Sequence, residues 1–332
     1  MASAYLNILK PRWFENFRIV GVFLFLFFLV GSVSFAQSEN RLGYFELDQT
    51  LQTATGELSG TLTVPILKGT FPVALIIAGS GPTDRDGNNL QMKNNSLLLL
   101  AHELAAQGIA SIRYDKRGIG KSASAMISEE QLSFENYVQD AKAWASQLKV
   151  DARFNKLIII GHSEGSLLGL LACEQADVFV SLAGAGRPID VILKEQLSTQ
   201  LKGHKKMLRA VEEGLTKLKK GELVGDSPVE LFGLFRPSVQ PYMISWMKYD
   251  PAVEISNLKI PIVIVQGTTD LQVQVKDAEL LHAASPDSRY ILIEGMNHIL
   301  KLAPLDREKN IETYSNPELP LAPELCRVLG TL

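Results

Sequence analysis

The spacing of the apolar positions changes after Pro65. Between Tyr44 and Pro65, polar and apolar residues alternate, with threonine and glycine among them, and this period of two predicts an antiparallel hairpin. Beyond it, short runs that are apolar throughout alternate with stretches of helical periodicity. A run that is apolar on both faces is typical of a strand buried between helices. The sequence therefore predicts an α/β fold in which a doubly wound, mostly parallel sheet follows the N-terminal hairpin.

The elements of this sheet can be placed from the same pattern. Strands are expected at 73–78, 110–114, 157–160, 178–182, 262–265 and 290–293. Helices are expected at 97–107, 134–148, 163–175 and 275–284. Because strands and helices alternate, the strands run parallel and their carboxyl ends share one edge of the sheet.

The stretch between the strands at 178–182 and 262–265 is too long for a simple crossover. Apolar residues recur at helical spacing in its first half, at Leu197, Leu201, Leu208, Val211, Leu215 and Leu218. Its second half is aromatic, with Phe232, Phe235, Tyr242, Trp246 and Tyr249. We expect residues 188–257 to form a helical cap over the carboxyl edge, and residues 37–187 and 258–332 to form the core. The alternative is a set of helices that enlarge the domain without touching a ligand.

The N-terminal segment is expected to be removed from the protein. Three basic residues precede an apolar run at 19–30, and small residues follow at Ser34 and Ala36. This pattern predicts a secretory signal peptide at residues 1–36, hence a secreted or periplasmic protein without stable membrane insertion after cleavage. An uncleaved membrane anchor is the alternative, but the apolar run is shorter than the about 20 residues that span a bilayer.

Charge and cysteine content narrow the class of protein. The chain of 332 residues has a net charge of −3, and without residues 1–36 the balance is 30 basic against 35 acidic residues, or −5. A mildly acidic chain without a basic cluster argues against nucleic acid as a partner.

The two cysteines, Cys173 and Cys326, allow a disulfide bond but do not require one. The oligomeric state does not follow from the sequence.

The strongest chemical signal is the sequence Gly-His-Ser-Glu-Gly at residues 161–165, directly after the apolar run 157–160. A Gly-x-Ser-x-Gly turn between a strand and a helix exposes the serine hydroxyl at the sheet edge, and the glycines allow close approach of strand and helix. The pattern predicts that Ser163 is a nucleophile. Serine needs a general base and a carboxylate that orients this base.

His298 is the expected general base. It lies in a short loop after the last strand, at the edge where Ser163 should emerge. The other histidines are less suitable: His102 and His282 fall in helices, His204 falls in the cap, and His162 is the variable residue of the turn, directed away from the serine.

Asp270 is the expected acid. It follows the strand 262–265 and Gly267, and it lies between the serine and the histidine in the chain, which is the order in this kind of site. Asp277 is the closest rival, but it belongs to the next helix, where we expect it to be solvated.

Backbone donors for a tetrahedral oxyanion are expected from two places. One is the N–H of Glu164, which opens a helix. The other is the glycine-rich loop 79–87 after the first parallel strand, with Ser80 as first choice and Gly81 as second. An ordinary Gly-Pro turn is the alternative for this loop.

Two charged segments flank the predicted strand ends, at 84–86 and 113–122. Their opposite charges could pair across the two loops and hold the glycine-rich loop rigid, or they could be solvated. The sequence at 118–122 lacks the spacing of a phosphate loop, which argues against nucleotide binding.

With these residues in place, the chain resembles the α/β-hydrolase superfamily, and within it the serine aminopeptidase-like branch that includes many bacterial carboxylesterases. The resemblance rests on Gly79-Ser80-Gly81-Pro82-x-Asp84-Arg85-Asp86, Arg113-Tyr114-Asp115-Lys116-Arg117-Gly118-x-Gly120-x-Ser122, Gly161-His162-Ser163-Glu164-Gly165, Gly267-x-x-Asp270 and Asn297-His298. It implies an α/β-hydrolase fold and hydrolysis of esters, less securely of amides. Ala78 departs from the histidine that many relatives carry before the oxyanion glycine.

Three functions remain open, in descending order. The first is a serine hydrolase that cleaves small-molecule carboxylic esters through an acyl-enzyme on Ser163, His298 and Asp270, with no cofactor and no metal. The second is a serine aminopeptidase or amidase, which would hold a substrate amine with an acidic group of the cap; the candidates are Glu195, Glu212, Glu213 and Glu230. The third is a non-catalytic binding protein on a hydrolase scaffold.

Overall fold

The computed structural model describes residues 43–332, so the expected signal peptide at 1–36 lies outside the described residues. The strands are β1 (Tyr44–Thr53), β2 (Gly56–Pro65), β3 (Phe71–Ile77), β4 (Ala110–Tyr114), β5 (Phe154–His162), β6 (Val178–Leu182), β7 (Ile262–Gly267) and β8 (Arg289–Ile293). They form one eight-stranded sheet in the order β1-β2-β4-β3-β5-β6-β7-β8.

The pairing of these strands confirms the predicted fold class. β1 and β2 form an antiparallel hairpin in which Tyr44 lies opposite Pro65, and β2 also pairs antiparallel with β4. The pairs from β4 and β3 through to β7 and β8 are all parallel. The carboxyl ends of β3, β5, β6, β7 and β8 therefore meet at one edge of the sheet.

Helices cover both faces of this sheet. The α-helices are α1 (Ser96–Ala106), α2 (Phe134–Lys149), α3 (Glu164–Ala172), α4 (Ile189–Gln200), α5 (Lys205–Lys219), α6 (Phe232–Phe235), α7 (Gln240–Trp246), α8 (Pro251–Ser256), α9 (Val275–Ala284), α10 (Arg307–Glu312) and α11 (Pro323–Leu329). Short 3₁₀ helices lie at Gly120–Ala125, Glu129–Gln131, Cys173–Gln175, Val229–Leu231, Pro237–Val239 and Thr313–Ser315. Within residues 43–332, no helix has the length and apolar character needed to cross a membrane.

The central strands bury side chains on both faces, which explains their continuous apolar runs. In β3, Leu75 packs into one hydrophobic layer together with Trp144 of α2, whereas its neighbour Ile76 packs into the opposite layer with Leu100 of α1. All four side chains are at most 1% exposed. Alternate strand positions thus serve two separate layers of one domain.

The segment between β6 and β7 contains helices α4 to α8 and no strand. The apolar periodicity that runs through 197–218 is divided between α4 and α5, since the chain leaves α4 at Gln200 and Gly203 has a φ of 91°. A left-handed residue of this kind is typical of a helix break. The division of the chain into a core and a cap at 188–257 stays a prediction.

Buried ion pairs connect the two charged loops. Arg85 donates to Asp115 at 2.7 Å, and Arg113 donates to Asp86 at 2.7 Å. Arg117 binds Asp140 of α2 through two hydrogen bonds of 2.8 and 2.5 Å. Most of these charges therefore pair rather than face solvent, which is one of the two alternatives for these segments; the side chain of Lys121 is exposed. Cys173 and Cys326 are both free thiols.

We expect the pair of Arg117 and Asp140 to stabilise the fold more than an exposed pair does. Arg117→Met should lower the free energy of unfolding by about 3–5 kcal/mol, because Asp140 is then left buried without its partner. Arg117→Met/Asp140→Asn should recover much of this loss. The comparison is Arg153→Met, which breaks the exposed pair of Arg153 and Asp151 and should cost at most about 1 kcal/mol. Urea unfolding measures all three; equal losses in the two single variants would contradict the expectation.

Candidate active site

Ser163 occupies a strained turn at the end of β5, immediately before α3. Its φ of 55° and ψ of −121° are unusual for a residue with a side chain. The glycines on either side leave no room for a Cβ atom: one at Gly161 would lie 2.2 Å from the Gly165 oxygen, and one at Gly165 would lie 2.2 Å from the Ile77 oxygen. Ser163 is partly exposed. The turn thus presents the serine at the carboxyl edge, where the sequence predicts it.

His298 and Asp270 are joined at the same edge. The Nδ1 of His298 lies 2.8 Å from Oδ2 of Asp270, and the two side chains are only 6% and 1% exposed. The second carboxylate oxygen of Asp270 accepts hydrogen bonds from the backbone N–H groups of Gln272 and Val273 at 2.7 and 2.9 Å. These bonds fix the carboxylate, which in turn fixes the imidazole ring and its tautomer.

The loops that carry this acid and this base are fastened together through their backbones. The N–H of Thr269 donates to the carbonyl of Met296 at 3.1 Å. A Cβ atom at Gly267 would lie 1.9 Å from that same carbonyl oxygen, so a glycine is required for the approach. Asn310, from α10, donates to the Thr269 oxygen at 2.9 Å. The C-terminal segment therefore supports the site, a contribution that sequence reasoning missed.

Ser163 and His298 lie close together. Within residues 43–332, no direct hydrogen bond joins the two side chains. Their proximity is shown by His162, which precedes the serine: its ring centroid lies 4.9 Å from that of His298. Its Nε2 lies 2.7 Å from the backbone oxygen of His298. Hydrogen bonds between nucleophile and base are often long before substrate binds. The structure thus brings the acid, the base and the serine to one edge, with the acid–base pair already formed.

His162 has a structural role that the sequence did not reveal. Burial and, after it, the neighbouring His298 lower the pKa of this histidine to about 4. The ring is therefore neutral near pH 7, and its Nε2–H donates to the His298 carbonyl. The sequence predicts only that this side chain points away from the serine; in the structure it braces the loop of the expected base.

Asp277 requires a correction. We expected it to be solvated, but it is fully buried and accepts two hydrogen bonds from Arg187, at 2.8 and 2.7 Å. It also accepts from the N–H of Gly186 at 3.2 Å. This aspartate is committed to an arginine, so its burial does not make it a rival of Asp270 for the histidine.

The expected oxyanion donors lie around Ser163. Ser80 and Glu164 line the same cavity as Ser163, whereas Gly81 lines a second cavity, to which Glu164 also contributes. The N–H of Glu164 is at the first position of α3, where backbone donors have no partner within the helix. This placement favours Ser80 over Gly81 as the second donor.

The side chain of Glu164 belongs to a buried polar cluster beneath the turn. Its Oε2 lies 3.0 Å from Nζ of Lys116, and its Oε1 accepts a hydrogen bond of 2.6 Å from Tyr242 of α7. The side chains of Lys116 and Glu164 are 2% and 3% exposed. Every charge in this cluster has a partner, as burial requires. No feature of the sequence around Lys116 distinguishes it from its charged neighbours.

A cavity of about 260 Å³ lies in front of Ser163. Apolar side chains from the segment between β6 and β7 form much of its wall: Ile189, Ile192, Leu193, Met243 and Trp246. Arg307 and Tyr314 contribute from the C-terminal segment. The helices of the insertion thus contact the space in which a ligand of Ser163 would lie. Within residues 43–332, no cluster of three or more His, Cys, Asp or Glu is arranged to hold a metal ion.

The four acidic residues considered for an amine site differ in position. Glu195 lines the cavity but accepts from Arg187 and from Lys276, at 2.5 and 2.9 Å. The hydrogen bond from Arg187 is the main reason that the pKa of Glu195 lies below its usual value. Glu212, Glu213 and Glu230 are exposed and do not line the cavity.

The α/β-hydrolase fold is defined by three features that are present here. These are the mixed sheet, the strained serine turn and the acid–base pair at one edge of the sheet. The family model described as serine aminopeptidase, S33, matches residues 94–201, which include Ser163 but neither Asp270 nor His298. Esterase EstD of Thermotoga maritima is 28% identical over 253 residues, which cover 73% of this chain and 58% of that relative. The chain thus spans little more than half of that relative's length.

Solved structures agree on the fold. Est1E from Butyrivibrio proteoclasticus, with ferulic acid bound, aligns over 81% of this chain and 96% of its own, at 16% identity and a TM-score of 0.54. Esterase Pf2001 of Pyrococcus furiosus aligns over 82% of this chain and 88% of its own, at 16% identity and a TM-score of 0.53. These similarities show that the chain has the α/β-hydrolase fold.

We expect His162 to make stability depend on pH. A histidine in an unfolded chain has a pKa of about 6.5, so acidification below that value protonates the unfolded state first and draws the equilibrium toward it. The contribution of His162 to the free energy of unfolding is complete above pH ~6.5. It falls by about 2–3 kcal/mol as the pH approaches 4.

Urea unfolding at about pH 7 and about pH 4.5 measures this effect. The matched variant is His162→Gln, which retains an amide donor but does not titrate, and it should lose less stability than the wild type over this interval. Equal losses of stability in the wild type and in His162→Gln would contradict the assignment of this pH dependence to His162.

Proposed function

We propose that the protein is a serine hydrolase that cleaves carboxylic esters. The observation that carries the proposal is the hydrogen bond of 2.8 Å between His298 and Asp270, beside a serine held in a strained turn. A histidine oriented by a buried carboxylate is equipped to take the proton of a serine hydroxyl. The esterase relative and the serine aminopeptidase family match support hydrolysis as the reaction class.

In the proposed reaction, Ser163 attacks the ester carbonyl while His298 takes the hydroxyl proton. Asp270 stabilises the imidazolium that forms. The carbonyl oxygen becomes an oxyanion and accepts hydrogen bonds from the backbone N–H groups of Glu164 and Ser80. The imidazolium then protonates the leaving alcohol, and an acyl-enzyme on Ser163 remains. Water, activated by His298, releases the acid and restores the serine.

Ester cleavage is favoured over removal of an N-terminal amino acid because no acidic group of the cavity is left to hold a substrate amine. Glu164 is paired with Lys116, and Glu195 is paired with Arg187 and Lys276. A buried ammonium without a partner is costly, so an aminoacyl substrate would lose binding energy here. The apolar wall from the insertion fits an uncharged acyl or alcohol group. We propose that this insertion, at 188–257, acts as the cap of the site.

The proposal extends to the location of the protein. Basic residues, an apolar run and small residues at Ser34 and Ala36 support export of the chain with cleavage after Ala36. Mass spectrometry of the N-terminus of the exported protein tests this directly. A chain that keeps residues 1–36 in the membrane fraction would favour the anchor instead.

Labelling by a fluorophosphonate tests the nucleophile. The wild type should react covalently, since the probe requires an activated serine, and Ser163→Ala should not react. Gel fluorescence and the mass of the labelled peptide give the result. Ser166→Ala provides a matched control, because its hydroxyl bonds the Ser181 hydroxyl at 2.8 Å in the interior and takes no part in the proposed reaction. A well-folded wild type that fails to react would contradict the proposal.

The role of Asp270 is tested by Asp270→Asn. The variant should fold, because the change is nearly isosteric, and its kcat should fall by about 10⁴-fold, because His298 is then held in the wrong tautomer. Steady-state kinetics on a short-chain ester and thermal unfolding provide the two measurements. The expected roles would be overturned if the folded variant kept full turnover, since another carboxylate would then orient the histidine.

The choice between ester and peptide chemistry is tested with paired substrates. The kcat/KM for short acyl nitrophenyl esters should exceed that for aminoacyl arylamides by at least about 10²-fold, since the site offers no unpaired carboxylate to an ammonium group. Acetylated arylamides separate the effect of the amine from that of the scissile bond. Faster cleavage of the free aminoacyl arylamide than of the ester would favour the aminopeptidase.

A further inference from the structure

Lys116 lies between the serine turn and the glycine-rich loop. Its Nζ donates to the backbone oxygen of Gly79 at 2.6 Å and to Oε2 of Glu164 at 3.0 Å. The ammonium group also lies 5.2 Å from the centre of the Tyr137 ring. A lysine ammonium has three N–H donors, so the two hydrogen bonds use two of them, and the ring contact adds a cation–π attraction. The lysine is thus held in place by three different elements.

The peptide unit that Lys116 holds is the one that carries the N–H of Ser80. The described chain contains no cis peptide bond, so the Gly79 C=O and the Ser80 N–H point to opposite sides of one rigid plane. A donor that fixes the direction of the carbonyl therefore fixes the direction of the N–H as well.

Two cavities lie near this peptide unit. Ser80 and Ser163 line the cavity of about 260 Å³. Lys116 and Tyr137 line the other cavity, of about 420 Å³. The carbonyl of Gly79 is turned toward Lys116, so the N–H of Ser80 points away from Lys116.

The distances around Gly79 are short enough for such a donor to serve Ser163. A Cβ atom at Gly79 would lie 3.1 Å from Cβ of Ser163. Among residues 43–332, no acceptor takes the N–H of Ser80. The N–H is therefore free for a ligand, and it lies beside the nucleophile.

We propose that Lys116 is a positioning residue for the oxyanion site. By binding the Gly79 carbonyl, it directs the Ser80 N–H at the substrate oxygen that becomes negative when Ser163 attacks. The inference rests on the proposed function, because it assumes attack by this serine. Glu164 completes the arrangement, since its side chain fixes Lys116 while its own backbone supplies the second donor. One ion pair thus orients both donors before the substrate arrives, which is the preorganisation that electrostatic catalysis needs.

The test compares two variants that differ only at position 116. Glu164→Gln serves as the reference, and Lys116→Met/Glu164→Gln removes the donor to Gly79 without leaving a buried carboxylate unpaired. Relative to the reference, the double variant should lose about 10²-fold in kcat for a short-chain ester, with KM within about twofold, because the oxyanion forms only after attack. The inhibition constant of a trifluoromethyl ketone should rise by a similar factor.

A second double variant covers the case in which methionine prevents folding. Lys116→Gln/Glu164→Gln keeps a polar side chain that can pair at position 164 but is one bond shorter than lysine, so it does not reach the Gly79 oxygen. The matched control is Arg117→Met/Asp140→Asn, which removes the next buried pair of the same loop and should lower thermal stability while kcat stays within about twofold.

The outcomes separate the two proposals. A wild type without turnover and without fluorophosphonate labelling would overturn the proposed function. An active wild type, with folded double variants that match the reference in kcat and in ketone inhibition, would overturn the role of Lys116 alone. Failure of both double variants to fold would assign the lysine to stability and would equally overturn positioning.

Discussion

The site depends on places where backbone packs directly against backbone. No Cβ atom fits at Gly161, Gly165 or Gly267, where carbonyl oxygens occupy the position that it would take. The first two contacts allow α3 to begin against β5 and β3, and so force Ser163 into its positive φ. The third brings the loop of Asp270 against the loop of His298. The geometry of the proposed reacting groups therefore follows from the packing of the sheet edge.

The same close packing excludes water from charged groups, and this explains the arrangement of the ion pairs. Lys116 with Glu164, Arg117 with Asp140 and Arg187 with Asp277 are all largely buried, and each pair connects segments distant in the chain. A buried charge without a partner is costly, so these pairs select one arrangement of the loops. The loops around Ser163 are consequently held in place by paired charges.

Much of the fold could be predicted because its signals are local. The strands Ala110–Tyr114 and Val178–Leu182 and the helix Val275–Ala284 agree with the expected bounds, since each is marked by its own apolar pattern. β5 extends three residues before the expected start, to Phe154, because pairing with β3 continues beyond the apolar run. The C-terminal helices, which support the acid loop through Asn310, lack such a pattern and were not predicted.

The sequence by itself determined the order and the edge of the candidate site: a serine, an aspartate and a histidine, each after the carboxyl end of a parallel strand. These follow from periodicity and from chain order, which do not require knowledge of distant contacts. Only the tertiary structure decided what the other polar residues do. Lys116, His162 and Asp277 resemble their neighbours in the sequence, and their roles come from partners 48, 136 and 90 residues away. Such contacts depend on which loops the strand order brings together, and local pattern carries no information about that.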